Sequence, residues 1–247
     1  MSRVLGVIPV RLESTRLPRK PLRLICGQPM IAWVYWRARQ AQGLDRLLVA
    51  TDSAEIAAYC RASEIPVEMT SPTHRSGTDR VVEVMAREPA DIYVNIQGDE
   101  PMVTAEHIEL LRRPFREVPD TRVSTLKVAI SAEQAANPNN VKVVTDVRGR
   151  ALYFSRALIP HDREGSGRVR YYKHLGLYAY AAEALRQFHA LRPSQLEQHE
   201  RLEQLRLLEN GIPITVVETA QDTIGVDTQE DLQEVEEYFR RHGIRLP

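Results

Sequence analysis

The sequence predicts an α/β fold, in which helices cover a mostly parallel β-sheet. Short apolar runs recur in the first half of the chain, and they lie at residues 4–9, 46–51, 67–70 and 91–97. Segments with the length and composition of helices separate these runs. Strands that alternate with helices in this way are typical of a parallel sheet with helices on both faces.

Each element of the first half follows from a local signal in the sequence. The run VLGVIP is bounded by proline and predicts a central strand. A helix begins at Gln28 and Pro29 and runs to about Ala41, because the missing N–H of proline costs nothing in a first helical turn. Thr104 fits the N-cap of a later helix. The remaining elements are strands at RLLVAT, VEMT and DIYVNIQ, and helices at AEIAAYCRAS and DRVVEVMARE.

The second half of the chain predicts an antiparallel extension of this sheet. Residues 122–130 and 141–160 alternate with a period of two, which is typical of half-buried strands. DVRGR, inside the second of these segments, indicates a hairpin turn. KHLGLYAY and PITVVET predict two further strands.

Two helices complete the second half. A capping box at Ser194 begins a helix that runs to about Glu209, and either Asp227 or Thr228 caps the last helix. The sequence shows no long linker, so we expect the chain to fold as a single domain over residues 1–247. We subdivide this domain into three parts, which are residues 1–120, 121–220 and 221–247.

The composition excludes several classes of function. The 247 residues contain 33 Lys and Arg against 33 Asp and Glu, so a global basic field for nucleic acid or for a membrane surface is not supported. No apolar run approaches the roughly 18 residues that a membrane helix needs. Cys26 and Cys60 have neither metal nor redox spacing. We therefore expect a cytoplasmic protein that neither binds nucleic acid nor inserts into a membrane.

A strongly basic loop follows the first predicted strand. IPVRLESTRLPRKPL contains Arg11, Arg16, Arg19 and Lys20 against the single acid Glu13. Positive side chains before a helix favour a phosphate ligand, although the glycines of a Walker loop or a dinucleotide-binding loop are absent. From charge alone, a solvated loop stiffened by proline is an equal alternative. Lysine is also rare, since it occurs only at positions 20, 127, 142 and 173, so each lysine is less expected to be a casual surface charge.

Two acids lie in similar settings after apolar segments. Asp99 follows the strand DIYVNIQ, and Asp227 lies in the segment IGVDT. Mg²⁺ prefers one or two carboxylates together with phosphate oxygens, so either acid beside a phosphate site suits this ion. Alternatively, Asp99 belongs to a plain turn and Asp227 is only a helix N-cap.

Further polar residues suit a small-molecule ligand. The loop SPTHRSGTDR follows the third predicted strand, and it suits a base, a phosphate or a sugar carboxylate, with a capped helix start as the alternative. His174 and Tyr178 point to the same face of the strand KHLGLYAY, because they are four residues apart.

Taken together, these motifs resemble the 3-deoxy-manno-octulosonate (Kdo) cytidylyltransferase family, also called CMP-Kdo synthetases. The resemblance runs from residue 4 to about residue 236. The resembling segments, in chain order, are IPVRLESTRLPRKPL, VATD, HRSGTDR, VNIQGDEP, NPNNVKVV, YFSRALIP, HLGLYAY, LEQLRLLENG and GVDTQEDL.

The resemblance implies a fold, a reaction and partners. The implied fold is a Rossmann-like nucleotidyltransferase of the glycosyltransferase-A type, with residues 1–120 as the nucleotide-binding half. Residues 121–220 would form a sugar-binding and dimerisation extension, and residues 221–247 would carry a metal-ligand loop. The implied reaction transfers CMP from CTP to the anomeric hydroxyl of Kdo, releases pyrophosphate with the help of Mg²⁺, and serves lipopolysaccharide assembly. The family is typically a homodimer.

The resemblance also implies roles for individual residues. The nucleotide-binding set is Arg11, Ser14, Thr15, Arg16, Lys20, Ser76 and Gly77. Asp99 and Asp227 match metal-binding aspartates and form the catalytic set together with Arg16 and Lys20, which would meet the β- and γ-phosphates. The sugar-binding set is Arg80, Gln97, Arg156, His174, Tyr178, Glu203 and Gln204.

The sequence departs from the family pattern at a few positions. Position 19 is Arg where the family often has Gly, and position 10 is Val where Ala is usual. The segment between Ile159 and Lys173, which borders the implied sugar pocket, is shorter than in many relatives. An 8-amino-Kdo or another 3-deoxy-ulosonic acid therefore remains an alternative substrate. A catalytically silent nucleotide-binding or scaffold protein is a further alternative, which the presence of both metal-site aspartates disfavours.

Overall fold

The computed structural model describes residues 2–14 and 16–246 of the chain. These residues form two compact units. The first unit contains the described residues before Leu110 and after Asp222, and the second unit is Leu110–Asp222. The subdivision of a single domain near residues 120 and 220 stays a prediction.

The first unit contains a parallel sheet. Strands in this unit are β1 (Val4–Val10), β2 (Leu24–Ile25), β3 (Gln28–Pro29), β4 (Arg46–Thr51), β5 (Val67–Met69) and β6 (Ile92–Asn95). The spatial order is β6-β1-β4-β5, and all neighbours in this row are parallel. Every residue of β1 is buried, as expected for a strand with a partner on each side. The predicted α/β class and the central position of the first strand are therefore confirmed.

The helices are described in chain order. They are α1 (Met30–Ala38), α2 (Ala54–Ala62), α3 (Gly77–Arg87), α4 (Ala105–Arg112), α5 (Pro114–Glu117), α6 (Ala132–Ala136), α7 (Ala182–Ala190), α8 (Gln195–Glu200), α9 (Leu205–Glu209) and α10 (Gln229–Arg241). Within the part of the chain that the structure describes, none of these helices has the length and apolar character needed to cross a membrane.

The start of α1 differs from the sequence prediction. Gln28 and Pro29 pair with β2 as the short antiparallel strand β3, and the helix begins one residue later than Pro29. The cause is a tight turn at Cys26 and Gly27, whose φ angles of 49° and 80° reverse the chain direction. The helix also ends at Ala38, so its predicted extension to Ala41 is wrong.

The second unit is mostly antiparallel. Its strands are β7 (Val123–Ile130), β8 (Lys142–Thr145), β9 (Ala151–Ser155), β10 (Tyr171–Ala181) and β11 (Ile214–Thr219). The strand β10 pairs antiparallel with β7 and β8, β8 pairs antiparallel with β9, and β11 pairs parallel with β7. The predicted hairpin between β8 and β9 is confirmed, and the Asp146 carboxylate accepts hydrogen bonds from two backbone N–H groups of its turn.

The predicted helix from Ser194 to Glu209 is wrong in its continuity. Ser194 does begin α8 with a capping box, but Arg201 takes a left-handed conformation with φ of 55° and ends that helix. The chain resumes as α9 at Leu205. Glu203 and Gln204 therefore lie in the turn between two short helices instead of in the middle of one long helix.

Side-chain caps fix the starts of α3, α4 and α10. Ser76 caps α3 in a capping box with Asp79, and Thr228 caps α10 in a capping box with Asp231. The backbone N–H of His107 donates to the hydroxyl of Thr104, as predicted for the start of α4. Because Thr228 accepts the capping bond, the cap of α10 does not occupy the side chain of Asp227.

Candidate active site

One hydrophobic cluster in the first unit anchors three polar segments. Leu17 belongs to the basic loop after β1, Met102 follows the loop after β6, and Val226 belongs to the segment before α10. All three side chains are buried in the same cluster. Its other buried members are Ile25, Met30, Trp33, Leu232, Val235 and Phe239. Apolar packing therefore fixes the three segments that carry Lys20, Asp99 and Asp227.

Backbone contacts hold the two aspartate segments side by side. The N–H of Val226 donates to the carbonyl oxygen of Asp99 at 2.8 Å. Next to it, Gly225 lies so close to Glu100 that a Cβ at this position would stand 3.1 Å from a carboxylate oxygen of Glu100. Glycine at 225 thus permits the close approach of the Asp99 loop and the Asp227 segment.

Lys20 lies between the two aspartates. Its Nζ is 2.6 Å from Oδ2 of Asp99 and 3.1 Å from Oδ1 of Asp227. Arg16 extends the cluster, since its Nη2 is 2.9 Å from Oδ2 of Asp227. The side chain of Lys20 is only 14% exposed. The structure therefore brings all four predicted catalytic residues together.

The charge state of Lys20 follows from its surroundings. Burial disfavours the ammonium and lowers the pKa, but the neighbouring carboxylates of Asp99 and Asp227 outweigh this effect, and the pKa of Lys20 is raised above its usual value of 10.5. The side chain is consequently a permanent cation near neutral pH.

The donor set at Asp99 and Asp227 fits one kind of metal. Across residues 2–14 and 16–246, no group of three or more His, Cys, Asp and Glu side chains is arranged to hold a metal ion by itself. Two carboxylates suit Mg²⁺, because this ion binds one or two carboxylates and completes its shell with water and substrate phosphates. The residues therefore fit Mg²⁺ bound jointly with a phosphorylated substrate.

The remaining residues of the basic loop have different surroundings. Arg11 is exposed, and the hydroxyl of Ser14 accepts a long hydrogen bond of 3.4 Å from the N–H of Leu17. Thr15, which belongs to the predicted nucleotide-binding set, lies outside the described residues. Arg19 forms an ion pair with Glu55 of α2, whereas Lys20 and Arg16 pair with the aspartates.

Ser76 and Gly77 lie where α3 begins, close to the end of β1. A Cβ on Gly77 would stand 3.0 Å from Cγ of Pro9 and 3.7 Å from Oε1 of Gln97. A larger residue at 77 would therefore press on the end of the strand. The absence of a side chain brings the first turn of α3 against β1 and next to Gln97.

Arg80 is buried and already paired. Its Nη2 donates to Oδ2 of Asp52 at 2.6 Å, and its Nη1 donates to the hydroxyl of Thr70 at 2.8 Å. Only 4% of Arg80 is exposed. Sequence reasoning assigned no role to Asp52, although the signal was present: an acid directly follows the strand RLLVAT.

The second unit holds a cluster of buried polar side chains on β10 and before α9. Tyr178 is 7% exposed, and its hydroxyl interacts with the Thr125 side chain without reaching the geometry of a regular hydrogen bond to any residue that the structure describes. Gln204 is equally buried, and its Nε2 likewise lacks a hydrogen-bond partner among the described residues. Burial, with smaller effects of Tyr180 and Glu203, raises the pKa of Tyr178 well above 10.0, so the phenol stays protonated. Both groups are donors available to a ligand.

His174 shares this cluster as a neutral side chain. Its Nε2 is 2.9 Å from the hydroxyl of Thr125, and its ring packs edge-on against Phe154. Burial, together with the charge of Lys173, lowers the pKa of His174 to about 3. The imidazole is therefore uncharged at neutral pH.

Arg156 is held by two residues that sequence reasoning missed. Glu200 accepts the backbone N–H of Arg156 at 2.9 Å and the Ser155 hydroxyl at 2.5 Å. The fully buried Lys142 donates to the carbonyl oxygen of Arg156 at 2.7 Å. The rarity of lysine in the sequence was the one signal that could have indicated a special role for Lys142. Nothing in the sequence distinguishes Glu200 from the other acidic residues.

Comparison with known proteins identifies the family. Residues 5–219 match the protein family described as Cytidylyltransferase. The chain is 58% identical over 234 residues to the 3-deoxy-manno-octulosonate cytidylyltransferase of Acidobacterium capsulatum, with 95% of each chain covered. It is 52% identical over 238 residues to the enzyme of that name from Koribacter versatilis, with coverages of 96% and 90%. The chain belongs to the 3-deoxy-manno-octulosonate cytidylyltransferase family.

Solved structures agree with this family assignment. A structure described as CMP:2-keto-3-deoxy-manno-octonic acid synthetase complexed with CTP superposes with a TM-score of 0.94 at 46% identity, covering 98% of this chain and 100% of the other. A cytidylyltransferase from Leptospira borgpetersenii matches with a TM-score of 0.63 at 14% identity, covering 98% and 88%, and shows the fold alone. The predicted α/β nucleotidyltransferase fold and the predicted enzyme class are confirmed.

The backbone at position 19 explains why glycine suits this position in the family, where this chain has arginine. Arg19 has a φ of 57°, in the left-handed region that favours glycine. The glycine that the family often has at this position suits that backbone. The arginine in this chain occupies the same turn and adds the ion pair with Glu55.

Proposed function

We propose that this protein transfers CMP from CTP to the anomeric hydroxyl of Kdo and releases pyrophosphate. The observation that carries this proposal is the convergence of Lys20 and Arg16 on Asp99 and Asp227 in the first unit. Cations for a triphosphate and carboxylates for Mg²⁺ are the two requirements of nucleotidyl transfer. The names of the relatives from Acidobacterium capsulatum and Koribacter versatilis support Kdo as the acceptor.

In the proposed mechanism, the anomeric hydroxyl releases its proton and forms a bond to the α-phosphorus of CTP, while the bond from that phosphorus to the leaving pyrophosphate breaks on the opposite side. Lys20 and Arg16 bind the β- and γ-phosphates and neutralise the charge that develops on the leaving group. Asp99 and Asp227 would hold Mg²⁺, which supplies charge stabilisation at the phosphate oxygens when it is bound. The protein contributes position and electrostatics, and no covalent nucleophile is required.

The remaining nucleotide residues would position CTP. Arg11, Ser14 and Thr15 come from the same loop as Lys20, and Ser76 and Gly77 lie at the start of α3. A helix N-terminus with free N–H groups attracts anions and polar ligand atoms. We assign these residues to the binding of CTP instead of to bond making.

Buried polar groups support the assignment of a sugar acid as acceptor. The buried donors on Tyr178 and Gln204, neither of which makes a regular hydrogen bond among the described residues, would pair with hydroxyl groups, because leaving such groups unsatisfied costs about 1–3 kcal/mol each. Within the first unit, Arg80 offers a guanidinium for a carboxylate, which it would share with Asp52, and Gln97 is the other sugar-binding candidate of that unit. Neutral His174, Glu203 and Arg156 are the remaining sugar-binding candidates of the second unit.

We also propose that the protein acts as a homodimer joined through strands of the second unit. The tip and outer face of the β8–β9 hairpin expose Val147 and Leu152, of which Val147 is fully exposed and Leu152 is 62% exposed. Apolar side chains on an outer strand favour self-association.

The identity of the acceptor is tested by a panel of sugar acids. Pyrophosphate release is measured with CTP and Mg²⁺ in the presence of Kdo, 8-amino-Kdo or a sialic acid. We expect Kdo to give the highest kcat/KM. A higher kcat/KM with 8-amino-Kdo would favour the alternative acceptor, and no turnover with any 3-deoxy-ulosonic acid would refute the proposal.

Replacement of Asp99 tests the metal assignment. We expect Asp99→Asn to lower kcat by about 100-fold or more, because the amide removes a negative charge from the metal site. Asp222→Asn is the matched control, since it also breaks an aspartate–lysine ion pair, with Lys173, and is expected to keep its turnover. Circular dichroism checks that both variants fold. An active Asp99→Asn variant would show that the metal assignment is wrong.

A further inference from the structure

We propose that Lys20 acts as an internal counter-ion that closes the metal site until the nucleotide binds. This inference deepens the proposed function and rests on it, since it concerns the same aspartates. The ammonium of Lys20 lies between the two carboxylates that would hold the metal and neutralises them in its place. Binding of the triphosphate then draws Lys20 away and opens the place for the metal.

The first argument is geometric. The Nζ atom of Lys20 contacts one oxygen of each aspartate, at 2.6 Å and 3.1 Å, so a single cation already bridges them. Mg²⁺ held by Asp99 and Asp227 would need the carboxylate oxygens that the ammonium now contacts, because this ion takes oxygen ligands directly. The ammonium and the metal cannot occupy this space together. One of them must leave when the other arrives.

The second argument concerns charge. Two carboxylates, on Asp99 and Asp227, face two cations, on Lys20 and Arg16. Within this foursome the charges cancel, and the two cations therefore reduce the attraction that Asp99 and Asp227 exert on a free divalent cation. A triphosphate offers the two cations a more highly charged partner, and it also brings oxygen ligands for the metal. Nucleotide and metal should therefore strengthen the binding of each other, as reciprocal coupling requires.

The third argument concerns access. The side chains of Asp99 and Asp227 are 36% and 45% exposed, whereas that of Lys20 is 14% exposed. The carboxylates are thus partly exposed, while the lysine that pairs with one oxygen of each is nearly buried. The backbone of Lys20 is fixed in a short 3-10 turn that begins at this residue. Only the flexible side chain has to move for the site to open.

The test measures Mn²⁺ binding to the nucleotide-free protein by electron paramagnetic resonance. We expect Lys20→Met to bind Mn²⁺ at least about tenfold more tightly than the wild type, because no ammonium has to be displaced. Adding Asp99→Asn to Lys20→Met should remove this gain. A Lys20→Met variant that binds Mn²⁺ as weakly as the wild type would overturn the inference, and so would a gain that survives Asp99→Asn.

Two matched variants separate the position of Lys20 from its charge. Arg16→Met removes the same charge but leaves the bridging ammonium in place, so we expect a gain below about threefold. Lys20→Arg keeps the charge at position 20 and should show no gain. An Arg16→Met variant that gains as much as Lys20→Met would reduce the effect to general electrostatics and overturn the inference. Thermal unfolding monitored by circular dichroism confirms that each variant is folded.

The proposed function is tested separately by turnover of the wild type. Turnover of CTP with Kdo, combined with no gain in Lys20→Met, overturns the counter-ion role alone. A wild type without turnover, combined with a tenfold gain in Lys20→Met, overturns the proposed reaction and supports the counter-ion role.

Discussion

Arg19 shows how one residue combines backbone strain with a surface contact. Its φ of 57° is costly for a residue with a Cβ, by roughly 1–2 kcal/mol. The ion pair with Glu55 is exposed, and exposed pairs contribute only about 0–1 kcal/mol. The turn at position 19 therefore matters more than the arginine side chain, because the turn positions the neighbouring Lys20.

Substitution of Arg19 tests this view of the turn. We expect Arg19→Gly to change the free energy of unfolding by less than about 1 kcal/mol, because relief of strain offsets the flexibility of glycine. Arg19→Val should destabilise by about 1–2 kcal/mol, since β-branched residues tolerate this conformation poorly. Urea denaturation measures both variants. A loss above about 2 kcal/mol in Arg19→Gly would contradict the strain argument.

His174 makes stability depend on pH. The pKa is about 3 in the folded protein, compared with 6.5 in an unfolded chain. Only the unfolded state gains a proton as the pH falls from 6.5 towards 3, so stability is lost over this window and is regained above it. At pH 5.0 the loss from this group is about 2 kcal/mol relative to pH 7.5.

Replacement of His174 by asparagine should remove that loss. Urea denaturation of the wild type and of His174→Asn at pH 7.5 and pH 5.0 gives four free energies of unfolding. We expect the difference between the two proteins to shrink by about 2 kcal/mol at the lower pH. An unchanged difference would contradict the lowered pKa, because it would mean that His174 takes up a proton at pH 5.0 in the folded protein as well as in the unfolded chain.

At the scale of elements, the capping of α10 holds the metal-site segment. Thr228 caps this helix directly after Asp227, and the N–H of Asp227 donates to the carboxylate of Asp231 at 2.8 Å. The same capping box that begins the helix therefore fixes the backbone of a proposed metal ligand. Ser131 forms an equivalent capping box at the start of α6 in the second unit.

These two caps form a matched pair for an experiment. Thr228→Ala and Ser131→Ala should each lower the free energy of unfolding by about 1 kcal/mol. Only Thr228→Ala should also raise the Mg²⁺ concentration needed for half-maximal turnover, because it loosens the backbone of Asp227. Equal effects of the two variants on the Mg²⁺ requirement would show that the cap has no part in the site.

The elements also show what the sequence can and cannot predict. Apolar runs identified β1 and β4, because burial on both faces leaves a continuous hydrophobic signal. The break at Arg201 and the hairpin at Cys26 were missed, since a left-handed turn at a residue other than glycine has no clear sequence signal. The same limit applies to the site, because the Asp52–Arg80 pair and the Glu200 contacts depend on tertiary packing.

For the whole molecule, the family resemblance supplied what local patterns could not. From charge alone, a solvated loop and a phosphate-binding loop were equal alternatives for residues 8–22. The structure places Lys20 and Arg16 of that loop on the carboxylates of Asp99 and Asp227, through packing of Leu17, Met102 and Val226. The segments that carry Lys20, Asp99 and Asp227 are distant in the sequence and are brought together by packing of the core. No local sequence motif therefore predicts the site.

The central claim is CMP transfer from CTP to Kdo with Mg²⁺ held by Asp99 and Asp227. Mass spectrometry of a reaction that contains the wild-type protein, CTP and Kdo tests this claim most directly, with Mg²⁺ either supplied or removed by a chelator. We expect CMP-Kdo and pyrophosphate in equal amounts with Mg²⁺ and no product with the chelator. Absence of CMP-Kdo in the presence of Mg²⁺, or undiminished product after chelation, would contradict the account.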